Sequence, residues 1–143
     1  MTRVFAASLL TAVLATNVSA HHSYAMFDGA RVVTVNATIA KFEWTNPHVF
    51  VWAYVANPKS ASGYDLFAFE NGSTNVLARR GWSKQVLPAG QEVVIEYWPL
   101  RDGRMGGHLK SLKFPDGREL QAAGGPRGLN GTDPALSPSK AKP

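Results

Sequence analysis

The sequence predicts an all-β fold, a small closed barrel. Three observations predict it. Strand-like runs of alternating apolar and polar residues recur through residues 31–121. Turn chemistry rich in Gly, Pro and Asn separates them. One short helical pattern falls after the third strand and before the fourth. Three strands, a helix and two strands is the element order of an OB-like five-stranded barrel.

The first strand covers 31–44. Val33, Val35, Ala37 and Ile39 share one face, and Thr34, Asn36 and Thr38 the other. Asn46-Pro47 ends it. The second, 48–55, is apolar on both faces, with Val49, Val51 and Ala53 against Phe50, Trp52 and Tyr54. Residues 57–63 are a turn, and 64–70 form the third strand. Ser73 or Thr74 caps a short helix through Ala78 and Arg80, and Gly81 stops it. After the turn Pro88-Ala89-Gly90, the fourth strand spans 92–98. It sets Val93, Ile95 and Tyr97 against Glu92, Val94 and Glu96. A loop at 101–104 leads to the fifth strand, 108–114, with Leu109 apolar and Lys110 and Lys113 exposed. Pro115-Asp116-Gly117 turns into a short last strand at 118–121. From Ala123 onward Gly, Pro, Ser, Asn and Lys dominate, so 123–143 reads as a disordered tail.

Residues 1–20 read as a secretory leader. Arg3 supplies a positive start, 4–13 is an apolar run, and Val18-Ser19-Ala20 places small residues before a cleavage point after Ala20. The run is too short to span a bilayer. The expected product is a periplasmic protein that does not span the membrane, folded over 21–122 and beginning with His21-His22. Of 143 residues none is cysteine, which excludes a disulfide scaffold, a thiolate zinc site and a cysteine nucleophile. The full chain carries a net +5. Loss of Arg3 leaves 14 basic and 10 acidic residues, interspersed and without a dense basic stripe. Nucleic acid is therefore not an expected partner.

The chain has four histidines, His21, His22, His48 and His108. Imidazole is the commonest protein ligand for transition metals. A processed N-terminal histidine adds its α-amine as a second donor. His48 follows the first interstrand loop, and His108 follows the loop between the fourth and fifth strands. Both loops flank the usual ligand face of an OB barrel. An N-terminus folded across that face would bring His21, His48 and His108 together. Without thiolates, such a site suits copper or zinc.

The aromatic residues Phe50, Trp52, Tyr54, Phe67 and Phe69 lie on adjacent strands, where most are expected to fill the barrel. Trp44 and Trp82 stand at element ends and are candidates for a ligand or partner rim. Glu43 and Glu70 end strands beside the motif loops, with a structural role favoured over acid–base work. No nucleophile triad, phosphate loop or His-Glu-x-x-His motif occurs. The sequence names no catalytic residue and leans away from an enzyme.

His21-His22-Ser23-Tyr24, Phe42-Glu43-Trp44-Thr45-Asn46-Pro47-His48, Glu70, Arg79-Arg80-Gly81-Trp82, Pro88-Ala89-Gly90 and Arg101-Asp102-Gly103 together form a pattern. In these motifs, over about residues 20–121, the chain resembles an exported bacterial family known as domain of unknown function 6152. The resemblance implies a periplasmic β-barrel without an established activity. Its motif positions hold His21, His22, Asn46, Pro47, His48, Glu70, Gly81 and Trp82. His108 lies outside them, so the resemblance favours a site of His21, His22 and His48 with Glu70. The leading expectation is an accessory or binding protein holding copper or zinc, with Trp44, Asn46, Glu70 and Trp82 as its ligand or partner surface. The alternative is an interaction subunit of a larger periplasmic oxidoreductase or envelope complex, without metal.

Overall fold

The computed structural model describes residues 24–126. The leader, His21, His22 and the tail from 127 onward lie outside them. A one-turn helix at Tyr24–Met26 precedes β1 (Val33–Glu43), β2 (Phe50–Ala56), β3 (Tyr64–Glu70), α1 (Thr74–Ala78), β4 (Glu92–Pro99), β5 (Gly106–Lys113) and β6 (Glu119–Gln121). The strand order is β3-β2-β1-β4-β5-β6, and β3 also pairs with β5. Strands β1 to β5 therefore close into an all-β barrel, with the short helix between β3 and β4. The β3–β5 seam is parallel, and every other pairing is antiparallel.

Ala37 and Ile39 point into the barrel as alternation predicts. The β1–β2 register then shifts between Ile39 and Lys41. Ala40 is the extra residue of a bulge, and it reverses the inward–outward parity over the rest of β1. Phe42 accordingly packs on the same core as Ile39. A second shift, between Glu96 and Tyr97, leaves Lys110 unmatched on β5. Leu109 and Leu112 both become fully buried, although three residues apart.

The aromatic residues divide unexpectedly. In β2 and the residue before it, the small side chains Val49, Val51 and Ala53 fill the interior. Phe50, Trp52 and Tyr54 alternate with them and face outward, against the expectation that such rings fill the barrel. Phe69 does fill the interior as expected; its ring meets Tyr97 edge to face at 4.9 Å, and Ile95 and the leucines of β5 supply the remaining bulk. Two large rings across one narrow barrel leave only small residues room on β2.

Trp82 also departs from expectation. It is 3% exposed and lies in the core beside Phe42 rather than on a rim. Its Nε1 donates to the Gln121 carbonyl at 2.9 Å, and the Arg80 guanidinium donates to the Ala122 carbonyl. The Arg-Arg-Gly-Trp motif thus ties β6 to the end of α1. Gly81 turns the chain between the two donors with φ +86°. Trp82→Phe should keep the packing and remove the part-buried hydrogen bond to the Gln121 carbonyl. The expected loss is about 1–2 kcal/mol, read as a shifted urea midpoint at unchanged slope.

The folded part extends beyond 122. Ala123 is buried, and its N–H donates to Asn71 Oδ1 at 2.9 Å. A Cβ on Gly124 or Gly125 would strike the Tyr24 hydroxyl or the Trp98 ring. The glycines that read as disorder at the head of the tail are a close-fitting strap.

Candidate metal centre

Three of the residues singled out in the sequence meet on the outside of the barrel. Glu70 ends β3 and pairs with His108 of β5 across the parallel seam. His48 precedes β2 by two residues, and its Nδ1 lies 2.6 Å from Glu70 Oε1. The run Asn46-Pro47, joined by a cis peptide, leads into it. His48 and Glu70 are each about three-quarters buried.

His108 lies inside a strand, as its place in the expected fifth strand implies. It is the third residue of β5 and only 1% exposed. Leu109 points into the barrel, so His108 points out. Its burial comes from outside the barrel wall. Tyr24 and Phe27 meet its ring edge to face at 5.2 and 5.4 Å, and Trp98 lies at 6.0 Å. Phe27 is itself buried and bridges to Leu100. The Asp28 N–H donates to the Pro99 carbonyl, while Arg101 donates to the carbonyls of Met26 and Ala25. Residues 25–28 are thereby stitched along the end of β4, and three aromatic rings box the imidazole.

That box sets the proton state. Burial disfavours the charged ring and pushes the His108 pKa down to about 4; the Leu109 carbonyl opposes this, and the charge of His48 adds to it. His108 is therefore neutral at pH 7. Its Nδ1 lies 2.9 Å from the Leu109 carbonyl, which can only accept. Nδ1 carries the proton, and Nε2 carries the lone pair. In His48, Glu70 occupies the Nδ1 side, so Nε2 is on the far side of the ring. An acceptor on one imidazole nitrogen, fixing the tautomer and presenting the other, is the usual support of a metal-ligating histidine.

The remaining expected positions lie elsewhere. Asn46 Oδ1 accepts from the Thr74 N–H at 3.2 Å and from its hydroxyl at 2.9 Å, joining the first loop to the start of α1. Trp44 packs beside Phe42 at 5.8 Å. Trp82 is in the core. Glu43 accepts from Trp52 Nε1 at 2.9 Å and pairs with Lys41, which holds its carboxyl below the usual range. His21 and His22 lie outside the described residues. Among the described residues, no group of three His, Cys, Asp or Glu side chains is arranged to hold a metal ion. The box residues Tyr24, Phe27 and Trp98 carry no signal of their own in the sequence beyond the position of Tyr24 directly after His-His-Ser.

A family model described as a family of unknown function (DUF6152) matches residues 9–110. The chain belongs to that family. No curated protein and no solved structure matches the chain significantly. The DUF6152 match includes His48, Glu70 and His108, and it ends before β6. Among the described residues, no helix is long and apolar enough to cross a membrane.

Proposed function

We propose that this DUF6152 protein is an exported accessory protein that binds a divalent transition metal, copper or zinc. The observation that carries the reading is the shared orientation of two neighbouring imidazoles. Each has an acceptor on its Nδ1 side, and both adjoin Glu70. His108 is also buried and neutral, which suits a ligand better than a surface residue. His48 and His108 would supply two nitrogens. The other donors would come from His21 and His22, with the α-amine freed by cleavage after Ala20. Tyr24 touches His108, and three residues of chain can span about 10 Å, so chain length allows an α-amine freed at His21 to reach the cluster. A bound metal would supply Lewis acidity or a redox centre. This chain's own residues hold it, orient the rings and keep bulk water from His108.

The test is calorimetric titration of copper(II) and of zinc into protein beginning at His21. Sub-micromolar binding is expected, and one extra residue placed before His21 should abolish it. Glu70→Gln should weaken it by about 10- to 100-fold while leaving the ligands in place. Affinity no better than that of an unrelated His-His peptide would refute the reading.

A further inference from the structure

A groove of about 570 Å³ lies on the outer face of the barrel, lined by residues apart from the histidine cluster. Its floor crosses β2, β1 and β4. Tyr54 pairs with Thr38, and Thr38 with Glu92; one step along, Asn36 pairs with Val94, and Val94 with Lys113. The floor side chains Thr38, Asn36 and Val94 are small. Large rings stand on one side, where Tyr54 is 48% exposed and Tyr64 is 55% exposed. The turn that starts with Phe114-Pro115 forms the other wall.

From this lining we infer a binding site for a neutral oligosaccharide. The size is that of a ligand pocket rather than a packing defect. Exposed tyrosines offer flat apolar faces to the C–H surfaces of a pyranose ring, and their hydroxyls remain wet. Asn36 and Thr38 match sugar hydroxyls as donors and acceptors. Lipid is a poor fit, because it would bury both polar side chains without partners. Phosphate or nucleic acid is also a poor fit, because the cation of the lining, Lys113, shares the groove with the carboxylate of Glu92. The groove is independent of the metal reading, since it uses none of the histidines.

The experiment titrates chitotetraose, cellotetraose and maltotetraose separately into ¹⁵N-labelled protein, without added metal. At least one should bind with a dissociation constant below the millimolar range and shift amides of β1, β2 and β4 around Thr38. Tyr54→Ala and Tyr64→Ala should each weaken it about tenfold or more, while Tyr54→Trp should retain it. All three substitutions lie on the outer face, so unchanged melting curves will show that the fold survives. Overturning results are the absence of shifts with all three sugars, or binding that survives both alanine substitutions. Capture of a protein partner through Tyr54 and Tyr64 with no response to the sugars would likewise overturn the assignment.

Discussion

Gly106→Ala will cost the protein about 3 kcal/mol or more and lower its melting temperature by more than about 10 °C. Gly106 opens β5 at the seam where it meets β3, paired with Ala68. Its φ is +132°, a backbone region that side chains rarely adopt, and a Cβ there would sit 2.0 Å from the Ala68 carbonyl oxygen. The neighbouring carbonyl carbon and the Ala68 nitrogen lie at 2.9 and 3.0 Å from the same point, so no rotamer change relieves the clash. Only separation of β3 from β5 does, and that opens the barrel. The control is Gly103. It also has a positive φ, +79°, but an added Cβ there meets nothing within 4 Å. Gly103→Ala carries the backbone cost alone, about 1 kcal/mol. Urea denaturation of both variants separates clash from strain. Equal losses at the two positions would mean that the seam does not hold the barrel together. Because Glu70 and His108 are neighbours across that seam, the same substitution should also disturb the histidine cluster.

The strand pattern was legible because alternation is a local property. Val33 to Ile39 and Val93 to Tyr97 face as their spacing says. The element order then gave the barrel, since β1 can pair with β4 only after the intervening hairpin and helix. Bulges were not legible. Ala40 and Lys110 look like ordinary strand residues, and only register against a partner reveals them as extra. The burial of Trp82 was hidden for a related reason, since its hydrogen-bond partner is a carbonyl 39 residues away. At the site, residue type pointed to His48, Glu70 and His108. The motif view set His108 apart, yet its neighbour across the seam is Glu70. The aromatic box could not be read, because it is assembled from the N-terminal segment, the end of β4 and the start of β5. Composition misled at Gly124-Gly125, where glycine serves close approach to Tyr24 and Trp98 rather than flexibility.

His108→Phe should cost metal-free protein no more than about 2 kcal/mol at neutral pH, the loss of the bond to the Leu109 carbonyl, and remove an acid-sensitive step from its unfolding. Folded His108 titrates at about 4, below the ordinary value of 6.5. Between those pH values the unfolded chain binds the additional proton, so stability rises with pH. The penalty for keeping the ring neutral is absent above about pH 6.5 and grows as pH falls toward 4, where it amounts to about 3 kcal/mol. Depressed carboxylates such as Glu96, Asp102 and Asp116 exert their effect mainly from their ordinary values downward, so the difference between parent and variant from pH 4.5 to 6.5 reports the His108 imidazole. Phenylalanine keeps a ring against Tyr24, Phe27 and Trp98 and cannot charge. Chemical denaturation across that window should therefore show a slope in the parent and little in the variant. An unchanged slope would contradict the buried neutral state of His108. The same variant should lose copper(II) or zinc affinity by about 100-fold or more, since a lost ligand costs at least as much as a lost supporting partner. The two results together bear on why histidine is there. The aromatic box would accept phenylalanine without acid sensitivity, and folding gains only the Leu109 bond from an imidazole that must be kept neutral. If the fold tolerates phenylalanine and the metal does not, the reason for histidine at 108 is the lone pair on Nε2.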